Sequence, residues 1–152
     1  MMALNIIRTD STDRDFRALV ALLDQELLVR DGEEHEFYAA YNKIDSLAHV
    51  VVAYRGELAV GCGAVKKYAE DVAEIKRMFV LPEKRGQGIA GEVLVELERW
   101  ARELGFAECI LETGKKQPEA IRLYQKSGYT RIPNYGQYEG VVNSVCMKKQ
   151  LI

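Results

Sequence analysis

The residues with chemical potential gather first at Lys84-Arg85-Gly86-Gln87-Gly88-Ile89-Ala90. A strand ahead of them, a proline-marked turn at Pro82 and a helix behind them would make a cradle for an anion. The first N–H groups of a helix have no partner inside it, and the aligned peptide dipoles add partial positive charge there. Gly86 and Gly88 permit positive φ and carry no Cβ to hold a phosphate away. Lys84 and Arg85 bring countercharge. No G-x-x-x-x-G-K-[ST] loop occurs in the chain, so the cradle is not of that kind.

The elements that must position this cradle follow from periodicity. Ile89, Ala90, Val93, Leu94, Leu97, Ala101 and Leu104 fall on one helical face, and Gly105 stops the helix. Val72 to Val80 reads as the strand entering the elbow. Strict alternation predicts Glu74, Lys76, Met78 and Val80 on one face, with Ile75, Arg77 and Phe79 on the other. Glu108 to Thr113 reads as a strand after the helix, and a crossover of this length makes the two strands parallel.

Arg85-Gly86-Gln87-Gly88-Ile89-Ala90 resembles the [RQ]-x-x-G-x-[GA] signature of the GNAT superfamily of N-acetyltransferases. Glu74-Ile75-Lys76-Arg77-Met78-Phe79-Val80 resembles that family's central strand. Pro118-Glu119-Ala120-Ile121-Arg122-Leu123-Tyr124 through Ser127-Gly128-Tyr129 resembles its second cofactor helix, A-x-x-L-Y-x-x-x-G-[FY]. The motifs span residues 74 to 129 in the family's order.

The resemblance implies direct transfer of an acetyl group from acetyl-CoA to a primary amine of a small molecule or peptide, without an acyl-enzyme. It implies that the backbone from Arg85 through Gly86, Gln87, Gly88, Ile89 and Ala90 holds the diphosphate. The main chain around Met78, Phe79 and Val80 would pair with the pantetheine amides as an added strand does. The Met78 N–H would polarise the thioester carbonyl. Gln117 stands where many relatives carry a cofactor-contacting Asn, and Lys115 and Lys116 could face the 3′-phosphate.

For catalysis the resemblance implies Tyr124 as general acid toward the departing sulfur and Glu74 as general base toward the amine, with Glu112 or water as competitors for the second role. The plain alternatives are packing for Tyr124, which shares a face with Ala120 and Ile121, and a charge pair with Lys76 or Arg77 for Glu74. The rival functions are a non-catalytic acyl-CoA binding or sensing domain on the same fold, and a nucleotide-binding protein.

Composition narrows the field. The 152 residues suit one N-acetyltransferase domain over 1–152, and 48% apolar with 29% charged residues is the mixture of an ordinary globular chain. A net charge of −2 argues against nucleic acid as a partner. Cys62, Cys109 and Cys146 lie in apolar runs and read as reduced, buried thiols. His35 and His49 have no neighbours at metal spacing, so no metal is expected. No apolar run reaches the length of a membrane span and no signal core opens the chain, which makes the cytoplasm the expected compartment. A homodimer stands open as an assembly state.

The remaining chain gives Leu4 to Arg8 as a first strand, then capping oxygens at Ser11-Thr12-Asp13 and a helical stripe of Phe16, Leu19, Val20, Leu23 and Leu27 ending near Asp31-Gly32. Glu33 to Tyr41 is expected to add a second, shorter helix. Ala48 to Tyr54 and Leu58 to Tyr68 form a hairpin, with Gly61-Cys62-Gly63 marking a bulge or a close neighbour. Pro118 opens another helix that Gly128 follows, and strands near Thr130 to Ile132 and Val142 to Lys149 close the sheet. The expected fold is α/β with a mixed sheet in the order β-α-α-β-β-β-α-β-α-β-β, the GNAT or acyl-CoA N-acyltransferase fold. The acceptor pocket is expected from Glu33 to Asn42 and the loop Asn134-Tyr135-Gly136-Gln137-Tyr138-Glu139.

Overall fold

A computed structural model describes residues 2–31 and 47–152. The helix expected over Glu33 to Tyr41, with His35 and that part of the acceptor pocket, lies outside the described residues. In chain order the elements are β1 (Leu4–Thr9), α1 (Arg14–Asp31), β2 (His49–Arg55), β3 (Leu58–Ala69), β4 (Val72–Val80), α2 (Ile89–Glu103), β5 (Glu108–Gly114), α3 (Pro118–Lys126), β6 (Thr130–Ile132) and β7 (Ser144–Gln150). The seven strands form one sheet in the order β1-β2-β3-β4-β5-β7-β6. Every neighbouring pair is antiparallel except β4 and β5, which run parallel as the crossover length predicts.

Local signals explain the boundaries. Asp13 caps α1 by accepting the Phe16 N–H at 2.9 Å, which satisfies one of the helix's orphan donors. Pro118 occupies the first turn of α3, where its missing N–H costs nothing. Helix α2 buries Ile89, Val93, Leu94, Leu97 and Ala101 against the sheet. Each Leu, Ile or Val so buried contributes about 1.5–3 kcal/mol. Leu104, expected on that face, is instead 42% exposed, because the helix ends at Glu103 and the chain turns through Gly105 at φ +94°. Gly63 lets α2 approach β3. A Cβ there would lie 2.6 Å from the Met78 sulfur and 2.7 Å from Leu97 Cδ1.

The feature that shapes the site is a bulge in β4. Cys62 pairs with Phe79 and Ala64 with Lys76, so Gly63 alone faces both Arg77 and Met78. Arg77 takes φ +58°, a left-handed conformation that costs a non-glycine residue about 1–3 kcal/mol. The bulge overturns strict alternation. Arg77 stays on the α1 side with Glu74 and Lys76, where it reaches Asp24 at 2.5 Å. Met78 and Val80 turn to the α2 side, beside Leu97 and Ile89 respectively. Parallel pairing with β5 is short: it covers Val72, Ala73 and Glu74 and then stops, leaving a gap between the two strands beyond Glu74.

Candidate active site

Two hollows meet in that gap. The first, of about 270 Å³, runs along Met78, Phe79 and Val80, the elbow from Lys84 to Gly91, and the inner face of α3. The second, of about 100 Å³, is walled by Glu74, Lys76, Arg77, Glu112, Tyr124, Tyr138 and the α1 residues Leu23 and Leu27. Leu23, Met78, Gln117, Ala120 and Tyr124 border both hollows, so these side chains stand at the junction.

The elbow is shaped as its sequence predicts. Gly86 and Gly88 both sit at φ +81°, and Gly88 caps α2 with no side chain bonded to its first-turn N–H groups. The donors at the head of a 15-residue helix therefore point into the larger hollow, and no Cβ stands before them at Gly86, Gly88 or Gly91. Ile89 is buried, Ala90 half-buried, and Gln87 exposed between the two glycines.

Arg85 departs from the expectation of plain countercharge. Its Nε donates to the Val80 carbonyl at 3.0 Å and its two terminal nitrogens donate to the Glu26 carboxylate at 2.9 Å each. It also covers the Phe79 ring at 5.6 Å. Its charge is matched from α1, and its role is to brace the elbow against β4. The sequence does not announce Glu26 for this place; no pattern in the sequence of α1 points at a loop 59 positions away.

Beyond the bulge, β4 presents an unpaired edge. The Leu81 N–H donates to Val60 of β3 at 2.9 Å. Backbone groups alternate along a strand, so the Val80 N–H and carbonyl face away from β3, the carbonyl accepting from Arg85 Nε and the N–H left toward the gap.

Tyr124 is buried at the junction. Burial, and then the Glu112 carboxylate, push its phenol well above the usual tyrosine range, so the group is a proton donor at neutral pH. Its ring packs edge-on against Tyr129 at 5.8 Å. Glu74, only 3% exposed, accepts a hydrogen bond from the Tyr135 hydroxyl at 2.6 Å. The charge partners that the sequence predicts for Glu74 are Lys76 and Arg77. Lys76 does share the wall: burial lowers the pKa of its ammonium, and the Glu74 and Glu112 carboxylates oppose that shift. Glu112 is half-buried on β5, whereas Lys115 and Lys116 are exposed.

The three cysteines are buried and unpaired. Burial pushes the Cys62 and Cys109 thiols up to about 12 and that of Cys146 to about 11, the opposite of what a thiolate nucleophile needs.

The sequence profile of the acetyltransferase (GNAT) family matches residues 15–129. The chain belongs to that family.

Among its relatives is the N-acetyltransferase YjgM of Escherichia coli, 35% identical over 111 residues, a match covering 72% of this chain and 66% of the relative. A Klebsiella pneumoniae structure assigned to the acyl-CoA N-acyltransferases superposes with a TM-score of 0.82 at 30% identity, over 98% of each chain. The PaiA N-acetyltransferase of Thermoplasma acidophilum, solved in complex with coenzyme A, shares the fold at a TM-score of 0.73 and 18% identity, over 98% of this chain and 99% of that one. The mixed-sheet GNAT fold expected from the sequence is thus the fold found, and YjgM and the Thermoplasma protein are both N-acetyltransferases. No helix among the described residues is long and apolar enough to cross a membrane.

Proposed function

We propose that residues 1–152 form one N-acetyltransferase domain that moves an acetyl group directly from acetyl-CoA to a primary amine. One observation carries this reading. The hollow headed by free helix N–H groups and the hollow walled by Glu74 share a border at Met78 and Tyr124. An acyl donor lying in the first would present its thioester to an amine entering the second. The coenzyme A held by the Thermoplasma protein supports that choice of donor.

Each group then has a task that its surroundings suit. The elbow from Arg85 to Ala90 binds the diphosphate by backbone donors, with Lys84 beside it. The gap-facing edge at Met78 and Val80 pairs with the pantetheine amides, and the Met78 N–H stabilises negative charge on the carbonyl oxygen as the amine adds. Glu74 takes a proton from the incoming ammonium, which is needed because such amines titrate near ~10.4. As the carbon–nitrogen bond forms and the carbon–sulfur bond breaks, Tyr124 gives its proton to the departing sulfur. The proton lost by the new amide nitrogen restores the phenol through solvent. Gln117, at the border of both hollows, contacts the donor's arm.

The test is coenzyme A release, followed with a thiol reagent, across an alkyl diamine, an amino acid, an aminoalkylphosphonate and a short peptide. Turnover on at least one of them is expected. Tight acetyl-CoA binding with no turnover on any would favour a sensor, and thermal stabilisation by ATP rather than acetyl-CoA would favour a nucleotide-binding protein.

A further inference from the structure

We propose that Tyr135 is a positioning residue for Glu74, holding its carboxylate fixed at the wall of the amine hollow through the 2.6 Å hydrogen bond between them. The inference rests on the reading of Glu74 as general base and goes beyond it by assigning what keeps the base ready.

The tyrosine has little freedom to do anything else. Its ring is clamped edge-on by Tyr68 at 5.1 Å and by Tyr138 at 5.6 Å, with interplanar angles of 74° and 89°. Tyr138 is itself 1% exposed and lines the same hollow as Glu74. Burial, and next the Glu74 carboxylate, push the Tyr135 phenol far up, so it remains a donor throughout the working pH range. A phenol in that state donates to the carboxylate, and the bond loses its charge assistance when the carboxylate takes a proton of its own.

The other groups around Glu74 do not replace it. Lys76 on the same strand divides its attraction between Glu74 and Glu112 of β5. Lys66 is the cross-strand neighbour on β3, and it is exposed. The Tyr138 phenol and the Cys146 thiol of β7 lie within electrostatic reach, and both are held neutral by burial. Tyr135 is the direct donor.

Two measurements separate the inference from the reading beneath it. Protein labelled with 13C at glutamate carboxyls, without any substrate, reports protonation of Glu74 directly; Glu74→Gln identifies its resonance. In Tyr135→Phe that titration should move to higher pH by about one unit, the size of one charge-assisted hydrogen bond. The acid limb of kcat/KM, measured with the best acceptor of the amine panel, should move by the same amount, with activity recovering on the high-pH plateau.

An unmoved carboxyl titration overturns the inference. A moved titration with an unmoved acid limb overturns Glu74 as base, and the inference with it. If Tyr135→Phe does not fold, 3-fluorotyrosine at position 135 serves instead. Its stronger donor should move both readouts to lower pH, and no movement again overturns the proposal.

Discussion

Two buried glutamates, each bonded to a tyrosine, lie on opposite sides of the sheet. Glu98 of α2 is 3% exposed and accepts from Tyr129 at 2.9 Å and from Lys149 at 2.9 Å. Glu74 of β4 is 3% exposed and accepts from Tyr135 at 2.6 Å. By burial and partner type they are twins. They differ in what adjoins them. Glu98 is closed in by its own lysine against the packed face of α2, while Glu74 forms part of a wall with open space before it. A buried carboxylate with a cation in contact joins two elements; one bordering a hollow beside a proton donor is placed to exchange a proton.

Substitutions should pull the twins apart. The largest effect is expected from Glu74→Gln, which should lower kcat/KM by about 10²–10⁴ at neutral pH while leaving the melting temperature nearly unchanged. A loss of stability with little loss of activity would make Glu74 the structural member of the pair. Glu98→Ala should do the reverse, costing about 3 kcal/mol in chemical denaturation because it leaves Lys149 and the Tyr129 hydroxyl without their acceptor. Its turnover well below the melting temperature should match the parent, and a large fall in kcat would erase the distinction.

Tyr124→Phe tests the donor across the hollow from Glu74. Its kcat should drop by roughly tenfold or more with little change in acetyl-CoA affinity, as measured by calorimetry; unchanged turnover would remove the phenol from the mechanism. The smallest effect belongs to Tyr129→Phe. It should cost about 1 kcal/mol of stability and leave the acid limb of kcat/KM in place, in contrast to Tyr135→Phe.

Much of this was legible in the sequence because it is local. The β4 boundaries, the glycine elbow, the Pro118 helix start and the parallel crossover each depend on residues within one element or one turn. What escaped is set by distant partners. The bulge at Arg77 exists because Gly63 on β3 faces two residues, and it separated Met78 and Val80 from Glu74 and Lys76. Tyr135 finds Glu74 across 61 positions, and Tyr129 finds Glu98 across 31. Arg85 looked like a phosphate ligand by type, yet α1 supplies Glu26 to occupy it. Tyr135 was legible as part of a pocket loop, but not as the partner of Glu74.

The central claim is that the two hollows work as one path, with donor in the first and amine in the second. A crystal structure with coenzyme A bound tests it most directly. The account predicts the diphosphate on the backbone N–H groups between Arg85 and Ala90, the arm along Met78 and Val80, and the sulfur within hydrogen-bond reach of the Tyr124 hydroxyl. A diphosphate held elsewhere, or a sulfur directed away from Tyr124 and the Glu74 wall, would contradict it.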